Sequence, residues 1–225
     1  MGRGVLAGRR ASRRRLPGLV RLEPPAGQVV GRHFTSAILY VMERLSQLGT
    51  EDRILTGLLD QALAEAVRKS GSWLACRPGC FDCCLGPFGI TQLDAHRLRA
   101  GLAALERRDP ERAARVRERA CAAEDRLAQR HSPADQPCPA LDPEAGTCDL
   151  YSARPVICRT FGPPVRGESG AVTTCEKCFQ GATDEEIAAC SVRVDTEDME
   201  ARLISALEDA TGVRGTTIVA ACLAG

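Results

Sequence analysis

Nine cysteines crowd into two loop-rich stretches of this 225-residue chain, and they limit how those stretches can fold. Cys76, Cys80, Cys83 and Cys84 form a C-x3-C-x2-C-C run. Cys138, Cys148 and Cys158 follow with nine residues between neighbours, and Cys175 and Cys178 close the set as a C-x2-C pair. Proline and glycine recur through the same stretches, from Pro78 and Gly79 to Pro163, Pro164 and Gly170, so few side chains there can build a core. Something other than apolar burial must hold them. Thiolate is the soft donor that zinc, copper(I) and iron–sulfur clusters select, and metal binding can supply folding energy outright. Short spacings across turns let successive sulfurs converge on one point. Four cysteines within nine residues, beside five more, are poorly explained as scattered small hydrophobes. The three methionines weigh against copper storage.

A disulfide framework is the competing use of so many cysteines. The pairs Arg9-Arg10 and Arg13-Arg14-Arg15 suggest an export signal, yet Pro17, Gly18 and Arg21 interrupt the apolar segment of about 7–15 residues such a signal needs. The expected compartment is therefore the cytoplasm, where thiols stay reduced and clustered cysteines read as metal sites.

Stoichiometry narrows the chemistry. One tetrahedral zinc is saturated by four thiolates. Nine thiolates on one divalent ion would leave several negative charges unpaired in a small volume. Three arrangements remain open: two sites share the nine, a multinuclear cluster spreads the charge, or several thiols stay protonated. The run is not a pair of C-x2-C knuckles, and it lacks the C-x2-C-x2-C-x3-C spacing of bacterial ferredoxins. Arg77, Arg154, Arg159 and Lys177 sit within a few residues of the thiols, where they could offset negative charge or donate hydrogen bonds to sulfur.

The flanks read as helices. Ile38, Leu39, Val41, Met42 and Leu45 recur at helical spacing, and Thr50 is a candidate N-cap for a second helix whose apolar face is Leu55, Leu58, Leu59, Leu63 and Val67, stopped by Gly71. Thr91 with Asp94 forms a capping box for a helix carrying Leu93, Leu98, Leu102 and Leu105. Pro110 opens a fourth helix to about residue 130. Rich in Ala, Arg and Glu, it is expected on the surface. Short and long helices are expected at 183–189 and 196–210, with Gly212 as the final stop. The fold class is thus mainly α, with helical, bundle-like flanks around a loop-rich cysteine-cluster metal-binding core. Residues 1–33 are expected to form a disordered basic tail. Residues 34–225 are expected to form a single domain, comprising N-terminal helices (34–71), the cysteine region (74–180) and C-terminal helices (183–225).

Charge and composition exclude several classes. Residues 1–32 hold eight arginines and one glutamate, so the rest of the chain is net acidic although the total is +1. No basic stripe interleaves with the aromatics Trp73, Phe81, Phe88, Tyr151, Phe161 and Phe179, which argues against nucleic acid and for a small local core around the metal. No apolar run reaches about 18 residues, so no membrane span is expected. The partners expected are a metal ion and, as a further option, another protein. Of the three histidines, His33 borders the tail, His96 falls in a helix, and His131 reads first as a helix-end residue and second as the histidine of a three-cysteine, one-histidine site. Cys121, Cys190 and Cys222 read as packing residues.

At this point a family resemblance enters. The run Cys76 to Cys84 followed by Ile90-Thr91, then Pro137-Cys138-Pro139-Ala140-Leu141, Cys148-Asp149-Leu150-Tyr151 and Arg154-Pro155-Val156-Ile157-Cys158-Arg159-Thr160-Phe161-Gly162, resembles the CxxCxxCC, or YkgJ-type, cysteine cluster family. The similarity spans roughly residues 74–180. One departure is C-x3-C at Cys76 where the family name implies C-x2-C. The resemblance implies a zinc- or iron-chelating domain in which an iron–sulfur or polynuclear centre is possible. A flagellin lysine methylating enzyme carries a similar domain, so the alternative role is an iron–sulfur enzyme or redox protein acting in protein modification. This chain shows no G-x-G-x-x-G loop after a strand to suggest a nucleotide site.

Overall fold

The computed structural model describes residues 31–129, 136–195 and 197–225. The expected basic tail falls almost wholly outside them, as do His131 and Thr196. The chain divides into two units, Met1–Ile38 and Leu39–Gly225. Of the first, the described part is the opening of α1.

Helix α1 runs unbroken over Gly31–Ser70. The expected break at Thr50 does not occur. Its hydroxyl donates back to the Ser46 carbonyl at 3.2 Å, the in-helix bond that replaces a cap. The buried stripe of α1 is Leu48, Leu55, Leu59, Leu63 and Ala66. Leu58 and Val67, expected beside it, face outward at 53% and 48% exposure. Leu48, Leu55 and Leu59 pack with Leu93 of α2 (Gln92–Arg108) and with Leu203 and Leu207 of α6 (Met199–Thr211).

A second apolar cluster joins α2, α3 (Pro110–Ala128) and α7 (Val219–Ala224). Here the expectation for α3 fails. Ala113, Val116, Ala120 and Ala123 are all but fully buried, because small side chains let α7 and α2 approach closely. The capping box at Thr91 forms as expected, with Thr91 Oγ1 accepting from the Asp94 N–H at 3.1 Å. A capping box also forms at Thr183–Glu186, opening α5 (Asp184–Cys190), and Gly212 ends α6 in the left-handed region. The start of α6 is capped instead by Asp195, whose carboxylate accepts from the N–H groups of Met199 and Glu200 at 2.8 Å each.

The fold is mainly α, with the cysteines clustered in its central region. Three short antiparallel ribbons complete the described residues. Strand β1 (Gly89–Thr91) pairs with β6 (Thr216–Ile218), β2 (Leu141–Asp142) with β3 (Thr147–Cys148), and β4 (Val165–Arg166) with β5 (Val172–Thr173). Short helix α4 (Val156–Thr160) follows the second ribbon. No described helix is long and apolar enough to cross a membrane.

One charge network joins α1, α2 and α6. Arg97 donates to Asp52 at 2.9 and 2.5 Å and to Asp94 at 2.6 Å, with all three side chains buried. Glu200 of α6 borders it. Burial, then the Asp94 charge, pushes its carboxyl from an ordinary value near 4.5 up to about 7. The folded state therefore holds this proton more tightly than the unfolded chain does. Its contribution to stability is complete below about pH 4.5 and is lost as pH rises through about 7. Glu200→Gln is expected to raise stability at pH 8 by about 1 kcal/mol, a figure already reduced for solvent screening at a half-buried site, and to change nothing at pH 4. Urea melts at the two pH values check it, and equal shifts at both would refute it.

Candidate metal centre

The first sulfur group forms where the opening of the C-x3-C run meets the C-x2-C pair. Gly79 takes a φ of 87°, closing a turn in which the Cys80 N–H donates to the Arg77 carbonyl at 2.9 Å. The Cys178 N–H donates to the Cys175 carbonyl at the same distance. The two turns are joined by Phe179 N–H to the Trp73 carbonyl at 2.9 Å and by Ala75 N–H to Cys178 Sγ at 3.4 Å. Cys76 Sγ and Cys178 Sγ stand 4.0 Å apart. Gly162 completes the seat. At a φ of 112°, an added Cβ there would come within 2.8 Å of Cys76 Sγ, so the position needs glycine on both counts. Its carbonyl accepts from the Cys175 N–H at 3.2 Å. Cys80 Sγ donates to the Asp82 carboxylate at 3.4 Å, and that carboxylate pairs with Lys177 Nζ at 2.6 Å.

The second group is assembled by backbone pairing. The Cys138 N–H donates to the Cys84 carbonyl, and the Gly86 N–H to the Gln136 carbonyl, each at 2.7 Å. Leu141 N–H then closes a turn onto the Cys138 carbonyl at 2.9 Å, and β2 sets Leu141 opposite Cys148. Cys84, Cys138 and Cys148 are neighbours for these reasons. Cys83 precedes Cys84 in a single 3-10 turn, Asp82–Cys84. Cys158 comes from α4, whose first N–H, that of Val156, donates to Asp94 at 2.9 Å.

Electrostatics follows the same grouping. Burial pushes the Cys76 thiol up to about 12, with Cys178, Cys80 and Cys175 adding negative charge. Cys175 is raised by burial, Cys178 and Cys80. In the second group burial lifts Cys148 to about 11 and Cys158 to about 12, and Cys138 also rises. Cys138, Cys83 and Cys148 add to the effect at Cys158. Cys84 is raised by Cys83, by burial, and by Cys138 and Cys148. Cys83 is the exception. Hydrogen bonding from Cys84 brings it down to about 7, with Arg154 also favouring its thiolate. Crowded, half-buried sulfurs thus keep their protons, and a cation that displaces them would relieve the repulsion.

Residues 75–180 match the sequence profile of the CxxCxxCC family, described as "Putative zinc- or iron-chelating domain". Over this segment the chain is similar to CxxCxxCC domains. No curated protein and no solved structure matches the chain.

The CxxCxxCC-like segment offers a donor set that suits the metals in that description. Two thiolates on one tetrahedral zinc, each about 2.3 Å away, stand about 3.8 Å apart. The Cys76–Cys178 separation is close to that. Among the described residues no three His, Cys, Asp or Glu side chains close on a single point, so the other sulfurs are neighbours within charge range rather than a closed shell. All twelve cysteines are free thiols. Cys121 is exposed on α3, Cys190 donates to the Lys69 carbonyl at 3.4 Å, and buried Cys222 donates to Ala95 at 3.4 Å, consistent with packing roles for the last two.

The basic residues of this segment divide by task. Arg159 is buried and spent on structure, with Nη1 2.6 Å from both Asp60 oxygens of α1 and Nη2 2.6 Å from the Ser152 carbonyl. Arg154 stacks over Tyr151 at 3.9 Å, and its charge favours the thiolates of both Cys83 and Cys148. Lys177 acts through Asp82. Sequence reading missed Asp149, the residue after Cys148. Arg112 Nε grips its carboxylate, and Arg119 Nη2 meets it at 2.5 Å while Arg119 Nε holds the Pro139 carbonyl at 2.8 Å. Helix α3 thereby fixes the turns on either side of Cys138 and Cys148. An acidic residue directly after one of the clustered cysteines, facing an arginine-rich helix, was the available signal.

Proposed function

We propose that this chain is a cytoplasmic metal-binding protein whose nine clustered cysteines, Cys76, Cys80, Cys83, Cys84, Cys138, Cys148, Cys158, Cys175 and Cys178, chelate zinc or iron, and that it serves as a binding or accessory module. The observation that carries this reading is the meeting of sulfurs from segments about a hundred residues apart, with Cys76 Sγ 4.0 Å from Cys178 Sγ. Thiols drawn together with high proton affinity and little apolar support are the chemistry of a soft cation site. A protein partner remains part of the proposal.

A second reading, an iron–sulfur centre doing redox or group-transfer chemistry in protein modification, is favoured by one observation. The group around Cys138 holds five sulfurs, and one of them, Cys83, is brought to about 7. Anaerobic purification followed by metal per chain, acid-labile sulfide and the visible spectrum separates the two. Colourless protein with one or two zinc ions supports the first, and brown protein with labile sulfide the second. A reduced chain that arrives without metal and takes up neither added zinc nor iron overturns both.

A further inference from the structure

Resting on that metal-binding reading, we propose that the nine sulfurs form two independent centres: a mononuclear four-thiolate site of Cys76, Cys80, Cys175 and Cys178, and a separate site drawn from Cys83, Cys84, Cys138, Cys148 and Cys158. Backbone geometry makes the division. Cys83 and Cys84 belong to the same run as Cys76 and Cys80, yet the chain turns between them. Cys80 is tied through Asp82 to Lys177, between Cys175 and Cys178. Cys84 is tied by its carbonyl to Cys138. The adjacent pair Cys83-Cys84 therefore begins a second site and does not extend the first.

The surroundings differ as well. Around the first group the buried residues are Cys175, Cys178 and Phe179, with Leu74, Ala75, Ala182, Ile187 and Cys190 partly covered and Trp73 stacked on Phe179 at 6.0 Å. That is too little apolar material to hold four chain segments, so this centre carries the structural load of its region. Four thiolates also saturate one tetrahedral ion without an open position. The second group packs against the main α2–α3–α7 cluster through Cys138 and Cys148, and its scaffold includes the Arg112–Asp149–Arg119 clamp. Its five sulfurs exceed what one tetrahedral ion takes by one. The first site is thus a closed structural site, and the second is the one with a spare donor.

Cadmium-113 loading of the intact reduced chain tests this. Two or more cadmium resonances are expected, with no scalar coupling between the four-thiolate ion and any other. Cys76→Ser/Cys178→Ser should lose about one metal equivalent and one resonance while the rest persist, and Cys138→Ser/Cys148→Ser should leave the four-thiolate resonance in place. Coupling through a shared thiolate overturns the division. So does a single bound equivalent, or loss of all metal from either double variant whose helical circular dichroism is intact. Where a variant does not fold, the resonance count and coupling of the unmodified chain decide. A chain that binds no cadmium, zinc or iron at all defeats the metal-binding reading itself, which is a different result.

Discussion

Stripping metal from the reduced protein with a strong chelator is expected to abolish amide protection in residues 74–85 and 162–182, while α2, α3 and α7 keep theirs. The asymmetry follows from what supports each region. Helices α2, α3 and α7 share a cluster of Ile90, Leu98, Leu102, Leu105, Val116 and Leu223, which needs no metal. The two segments around Cys76 and around Cys175 and Cys178 meet at a cluster with Phe179 as its single large buried apolar side chain. Structural zinc in small domains is worth roughly 10 kcal/mol or more at neutral pH, so its removal should leave such a region with no net stability. Exchange there should accelerate by about 10³-fold or more, whereas residues 138–150, which reach the main cluster through Ala140 and Leu150, should respond less. Hydrogen exchange read by mass spectrometry gives the answer. Unchanged protection at 162–182 in metal-free protein would show that hydrogen bonds and packing suffice, and the metal would lose its structural role.

Much of this arrangement was legible in the chain, for reasons that differ by residue. Capping chemistry is local, so Thr91 with Asp94 and Gly212 could be read directly. The nine cysteines announced themselves by density among turns. Thr50 misled because the same hydroxyl that caps a helix start can bond back within a helix, and only the burial of Leu48 and Leu55 on one continuous stripe decides between the two. Helix α3 misled because hydropathy undervalues alanine at a close helix crossing, where the missing volume is the asset. The division of the sulfurs was beyond reach, since spacing along the chain cannot say which way Cys80 and Cys83 part. That turn is set by Asp82 reaching Lys177 and by Cys84 pairing with Cys138, both contacts between distant segments. Arg154 and Arg159 looked equivalent on either side of Cys158. Both reach Asp60, about a hundred residues earlier, and they differ in that Arg159 is buried against it at 2.6 Å while Arg154 meets it at 3.4 Å and stacks on Tyr151.

Asp94 concentrates three of these contacts in one buried carboxylate, and its removal is expected to be among the most damaging single changes outside the sulfurs. Its Oδ2 completes the capping box with Thr91 at the start of α2. Its Oδ1 accepts from Arg97 at 2.6 Å and from the Val156 N–H at 2.9 Å, the bond that orients α4 and with it Cys158. Asp94→Ala deletes the side-chain half of the capping box while Thr91 Oγ1 keeps its bond from the residue-94 N–H, leaves the Val156 N–H without its acceptor, and leaves buried Arg97 with Asp52 alone. Breaking a buried pair by removing one partner costs about 3–5 kcal/mol. A loss of at least about 3 kcal/mol in urea melts is expected. Asp94→Asn should fall between the two proteins, because its single amide oxygen can stand in for Oδ1 and accept from Val156 while the Oδ2 contact to Thr91 and the charge opposite Arg97 are gone. Metal content then separates stability from site assembly. If α4 is held by this carboxylate, the metal retained by the second sulfur group should drop in Asp94→Ala and recover in Asp94→Asn, with the four-thiolate group unaffected in both. An Asp94→Ala protein as stable as the parent and fully loaded would mean that α4 finds its place from the rest of the core, without Asp94.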